Sequence, residues 1–178
     1  MTDFIYFDTD CLSSFLWVNE EKILSSLYSG KIIIPQQVYN ELSHPATPQL
    51  KIRIDSLISN KDATIQQILT ATPEFDLYNK FINTPESGYS IIGKGEASAI
   101  ALAIESKDTV ASNNLKDVLA YVSKYNLKHI TTGDILKKAL DNSIITEDYG
   151  NSIWSAMLTK RRKLGTATFT DYLKKDIE

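Results

Sequence analysis

Short apolar runs alternate along this chain with longer stretches of helical pattern, and that alternation limits the possible folds more than any other feature. FIYF (4–7) ends at Asp8, and KIIIP (31–35) is rich in β-branched residues and stops at Pro35. ATIQQIL (63–69), TVAS (109–112) and KHIT (128–131) are shorter or weaker strand candidates. Between the first runs lie helical patterns at 11–17 and at 21–30, the latter closing on Gly30 as a C-terminal cap. A third begins at Pro35, a first-turn proline, and places Val38, Glu41 and Leu42 on one side. Further helices are expected over 48–59, 74–83, 95–106, 114–124, 134–141, 147–163 and 169–175. Strands and helices alternating in this way favour an α/β fold: a central parallel sheet, helices on both faces, three layers in all. Sheets of this kind carry their sites at the carboxyl ends of the strands.

No repeat, low-complexity segment or long linker divides the 178 residues, so one domain over 1–178 is expected. The balance of 43% hydrophobic and 23% charged residues suits an ordinary globular chain. Cys11 is the single cysteine and His44 and His129 the two histidines, which leaves no cluster for structural zinc and suggests a reducing cytoplasm. The opening MTDFIYFDTD carries acids where an export signal needs positive charge, and no apolar stretch reaches about 18 residues, so neither export nor a membrane partner is expected. A net charge of −3 argues against non-specific coating of nucleic acid. The run Lys160, Arg161, Arg162, Lys163 reads, by itself, as a solvated helical face.

The acids are more informative. Asp8 directly follows the first strand, Glu41 lies on the helix after the second, Glu96 opens the alanine-rich helix, and Asp117 lies on the helix after TVAS. Each is flanked by residues that look buried, among them Phe7, Val38, Leu42, Ala97, Ile100, Leu115 and Val118. Carboxylates gathered beside a core repel one another and lose hydration, and a hard divalent ion such as Mg²⁺ or Mn²⁺ offsets both costs. Helix 95–106 is apolar nearly all round, with Ala97, Ile100, Ala101 and Ile104 on one face and Ala99, Leu102 and Ala103 on another. Its small side chains let it approach the sheet closely and bring Glu96 to the strand edge. Taken singly, Glu96 also suits a charge that complements the helix dipole, Asp8 a helix cap, and Glu41 a surface residue.

FIYFDTDCL, IIIPQQVYNEL, GKGEASAIALA, VASNNLKDV and HITTGDILKKALDNSIIT, in this order, resemble the successive motifs of the PIN-domain family of metal-dependent ribonucleases. The resemblance spans nearly the whole chain, with 44–90 the least informative part. It implies that Asp8, Glu41 and Glu96 form an acidic centre. It implies hydrolysis of RNA to 3′-hydroxyl and 5′-phosphate ends with Mg²⁺ or Mn²⁺. It also implies the role of a toxin restrained by a protein antitoxin. The departure is at the fourth motif: Asn113 and Asn114 stand where the family shows an aspartate. Asparagine offers a metal a neutral oxygen and no charge. Asp117, about one helical turn on, is positioned to restore the carboxylate. Asp10 and Thr9 are candidates for outer contacts, and Lys94, Lys116, Arg161 and Arg162 for the cations that an acidic cleft needs before it can hold RNA. A homodimer through Leu12, Phe15 and Leu16 is a further expectation, with core packing as the competing use of those residues.

Other readings compete. GYSIIGKG nearly spells a phosphate-binding loop, but Gly95 stands where the metal-binding hydroxyl belongs. FDTDCL looks like the Asp-x-Asp pair of a haloacid-dehalogenase-like phosphatase, with Asp8 as nucleophile, Asp10 as general acid and Ser112 and Asp134 in later roles; that leaves Glu41 and Glu96 without work. A third reading is a binding or regulatory module of the same fold whose metal site has decayed at the asparagines.

Overall fold

The computed structural model describes residues 3–175. Within them five strands, β1 (Ile5–Phe7), β2 (Ile32–Pro35), β3 (Ala63–Gln66), β4 (Thr109–Ala111) and β5 (Lys128–Ile130), form one parallel sheet in the order β3-β2-β1-β4-β5. Side chains alternate across it as the two-residue period requires. Ile5, Phe7, Ile32, Ile34 and Ala111 enter one hydrophobic core, and Tyr6, Ile33 and Val110 enter the other. Both faces of β1 are buried, which is why its run is continuously apolar.

The first core is covered by α1 (Thr9–Trp17), α2 (Glu21–Tyr28), α3 (Gln36–Leu42), α4 (Pro48–Ser59), α8 (Thr132–Asp141), α9 (Glu147–Thr159) and α10 (Phe169–Lys175). The second is covered by α5 (Pro73–Asn83), α6 (Lys94–Ser106) and α7 (Leu115–Tyr125). Helix α6 packs across β1, β2 and β4, and every residue from Ala97 to Ala103 is buried. Only a helix of small side chains fits so closely against three strands. Because β1 has β2 on one side and β4 on the other, the chain order reverses beside it, and the carboxyl end of β1 lies at that switch point.

The differences from the expected boundaries have local causes. Pro35 ends β2, paired with Gln66, and α3 starts one residue later. Helix α8 starts at Thr132 because Thr131 and Asp134 cap it reciprocally: the Asp134 N–H donates to Thr131 Oγ1 at 3.2 Å, and the Thr131 N–H to Asp134 Oδ2 at 2.7 Å. Helix α9 stops at Thr159, so the basic run is not a helical face. Arg161 turns the chain with a φ of 60°, and the Arg162 N–H donates back to the Met157 carbonyl at 3.1 Å. The returning chain is pinned by Trp154, whose indole N–H donates to the Thr166 carbonyl at 3.1 Å. Leu12, Phe15 and Leu16 are completely buried in the first core, so the dimer contact expected there is corrected: no surface of these side chains is left for a second copy.

Candidate active site

Asp8 follows β1 and caps α1, where its Oδ1 accepts the Cys11 N–H at 2.7 Å. The residue is 0% exposed, and its Oδ2 has no hydrogen-bond partner. Burial pushes its carboxyl up to about 7; the charges of Asp10 and Glu96 act in the same sense, against the Cys11 N–H and the nearby Ser112 hydroxyl.

Glu96 sits in the first turn of α6. Its Oε2 accepts the Gly93 N–H at 3.3 Å, and its Oε1 accepts the Asn114 side-chain amide at 2.6 Å. The same amide donates to Asp117 Oδ2 at 3.0 Å, so Asn114 ties the first turn of α6 to the first turn of α7. Burial raises the Glu96 carboxyl above its ordinary range, and Asp117 and Asp10 add to the effect while the Asn114 and Gly93 bonds oppose it. Asp10 is raised for the same first reason, burial, and is pulled back by Arg162 and Lys163.

Glu41 is exposed at the end of α3, and each of its oxygens is held: Oε2 accepts from the Thr9 hydroxyl, and Oε1 accepts the Gly95 N–H at 3.1 Å. Three helices meet here, and the glycine permits it. A Cβ at position 95 would stand 2.4 Å from Thr9 Oγ1 and 3.0 Å from Glu41 Oε2. The second glycine of GKGE is therefore the seat on which the start of α6 meets α1 and α3.

The two asparagines have separate work. Asn113 fastens α8: it accepts the Thr132 N–H at 2.9 Å and donates to Thr132 Oγ1 at 2.8 Å. Both line the same cleft, but of the two it is Asn114 that bonds to the acids. Leu115, expected to be buried beside Asp117, is 44% exposed because it is the first residue of α7 and points away from either core.

A cleft of about 640 Å³ is lined by Asp10, Glu96, Asn113 and Asn114 together with Lys116, Arg161 and Arg162. A smaller opening of about 270 Å³ adjoins it, bringing Thr9, Glu41 and Gly95 together with the shared Asp10, Glu96 and Arg162. Asp8 lines neither and lies enclosed. Arg162 belongs to both, and its Nη1 is 3.4 Å from Asp10 Oδ1 and 3.1 Å from Ser13 Oγ. Its approach to the acids, across 152 residues of chain, has no signal in the sequence beyond its charge. Ser13 was likewise not legible. Of the expected cations, Lys94 is exposed at the start of α6 and lines neither opening.

Two residues of the competing phosphatase reading are hydrogen-bonded within the protein. Asp134 is committed to Thr131 and to the Tyr172 hydroxyl, which donates to it at 2.7 Å. Ser112 is fully buried and accepts the Asn114 N–H at 3.2 Å. The phosphatase reading gives both of them later roles, beside Asp8 and Asp10.

The donor set consists of oxygens, which suits a hard divalent ion, and the partnerless buried oxygen of Asp8 is the kind of group such an ion satisfies. Among the described residues no three His, Cys, Asp or Glu side chains stand together ready to hold a metal ion. Thr9, Gly93, Gly95 and Asn114 engage oxygens of Glu41 and Glu96 instead. No described helix is long and apolar enough to cross a membrane. Among curated proteins none matches the chain. A family model described as a PIN domain matches residues 4–178.

Proposed function

From the premise that the chain belongs to the PIN-domain family, whose fold is of nuclease type, we propose that it is a divalent-metal-dependent endoribonuclease acting on single-stranded or looped RNA. The observation that carries this reading is Asp8: a fully buried carboxylate with one oxygen unpartnered, close enough to Asp10 and Glu96 for their charges to raise its pKa. An enclosed carboxylate among other acids is costly to ionise unless a cation joins it. Asp8, Glu41, Glu96, Asn114 and Asp117 are the residues that would hold Mg²⁺ or Mn²⁺. A bound ion supplies a water of lowered pKa and stabilises charge on the leaving oxygen.

The chain's own groups do the rest. Glu96, fixed by Gly93 and Asn114, presents a carboxylate to the cleft from the positive end of α6. Lys116, Arg161 and Arg162 offset the acids so that an RNA backbone can enter, and exposed Lys94 lies outside the cleft to meet a longer strand. In the same reading the protein is a toxin acting in the cytoplasm and held in check by a protein antitoxin.

The test is RNA cleavage with and without Mn²⁺, comparing wild type with Asp8→Asn and Asp117→Asn. Metal-dependent cleavage lost in Asp8→Asn supports the reading; cleavage equal in wild type and Asp8→Asn, or none with any divalent ion, sinks it. Arg162 already beside Asp10, and Asn114 in place of a carboxylate, favour a second reading, a metal-poor RNA-binding module. Absence of measurable Mn²⁺ affinity, together with RNA binding unchanged by Glu96→Gln, would select it.

A further inference from the structure

The main cleft is larger than the acidic centre uses. At about 640 Å³ it falls within the roughly 300–1,000 Å³ of pockets that take whole small molecules, whereas a metal-bound phosphate fills a small part of that. Its lining also includes apolar side chains. Leu115 enters it from the first turn of α7, and Leu164 from the turn after α9. Leu164 is half-buried against the first core, but Leu115 is 44% exposed and belongs to neither core. The exposure of Leu115 inside the cleft is not accounted for by packing against either core. Each leucine also has a cation next to it in sequence, Lys116 and Lys163, and both cations line the same cleft.

One cleft thus holds carboxylates for the scissile bond, cations for a phosphate, and apolar side chains beside those cations. That combination matches one nucleotide, with its phosphate at the lysines and arginines and its base on the leucines. We propose that Leu115 and Leu164 form a subsite for a single unpaired nucleobase next to the scissile phosphate, which deepens the ribonuclease reading and rests on it. The base must be unpaired, because in a duplex its faces are already stacked. Three of the cleft's neutral polar residues are bonded within the protein: Asn113 to Thr132, and Thr131 and Tyr172 to Asp134. Recognition is therefore by apolar contact, and the subsite tolerates any base.

The test uses the full chain carrying Asp8→Asn, in Mg²⁺ buffer. Its probes are a labelled short single-stranded RNA and a matched oligomer with the same phosphates but no bases. Adding Leu115→Ser should weaken the base-bearing RNA roughly five-fold, the scale of one modest apolar contact, and leave the abasic oligomer unchanged. Lys116→Ala should weaken both probes alike. The proposal is overturned if Leu115→Ser weakens both equally, or if the parent binds both probes equally well. It is also overturned if Leu115→Ser changes neither affinity. Cleavage is scored separately on otherwise wild-type protein with Mn²⁺. Base-dependent affinity without cleavage removes the nuclease reading alone, and cleavage without base-dependent affinity removes the subsite alone.

Discussion

The acids and the cationic wall of the cleft are held by different kinds of bond. Glu41 and Glu96 are each fixed by a backbone N–H, from Gly95 and Gly93, and by a side chain from another element, Thr9 or Asn114. Asp8 is fixed by the N–H of Cys11 inside the core. The cationic wall consists of side chains on a turn and on a first helical turn. There Arg161, Lys163 and Lys116 are exposed, and Arg162 reaches the acids through a 3.4 Å ion pair and a bond to Ser13. In the proposed reading the acids hold an ion, a task that tolerates displacements of a fraction of an ångström, and backbone bonds suit that precision. Groups that attract a phosphate chain act over a Debye length and need only be nearby.

If that division is right, neutralising an acid should cost far more than removing a cation. Glu96→Gln is expected to lower kcat/KM for RNA on the order of 10² or more, while Arg162→Ala should change it about ten-fold or less. Steady-state cleavage assays on both variants would break the comparison if the losses were equal.

The enclosed acid also makes stability depend on pH. In the folded protein Asp8 holds its proton up to about 7, whereas unfolded it releases it near the ordinary 3.8. The folded state therefore binds more protons between these values, and stability is greatest at the acid end and falls as pH rises through about 7. Asp10 and Glu96, also raised, add slopes of the same sign. In a chelating buffer, Asp8→Asn should remove most of the loss, on the order of a few kcal/mol. Urea midpoints at pH 5 and pH 8 check this: equal slopes in variant and wild type would show that Asp8 does not carry it.

A smaller effect sharpens the role of the backbone. Gly95→Ala places a methyl group against Thr9 and Glu41 and should cost about 1–3 kcal/mol of stability by overpacking. Combining it with Thr9→Ala should recover part of that, which a denaturant titration of the double variant would show. The smallest expected change is in stability for Arg162→Ala, under about 1 kcal/mol because the ion pair is partly exposed. Its signature is instead a shallower salt dependence of RNA binding, by roughly 0.7 in logarithmic slope for one single-strand phosphate contact.

The strands and helices were legible because hydrophobic period is a local property: all five apolar runs form strands, and Asp8, Glu41 and Glu96 could be placed from their positions relative to them. The boundaries that moved did so through contacts the period does not encode. The Thr131–Asp134 cap lengthened α8, and the return of the chain to Trp154 shortened α9. Asn113 and Asn114 show the limit most clearly. Adjacent and chemically identical, they differ only in what faces them, Thr132 in one case and Glu96 with Asp117 in the other.

Amino-acid order alone was enough for the parallel α/β layering and for a carboxylate at the end of β1, since both follow from patterns a few residues long. That Glu41 and Glu96 line one opening and Asp8 does not, which asparagine bonds Glu96 and Asp117, and that the turn after α9 brings Arg162 to Asp10 were settled by packing. Contacts across 152 residues depend on how whole layers stack, and no short-range propensity records that.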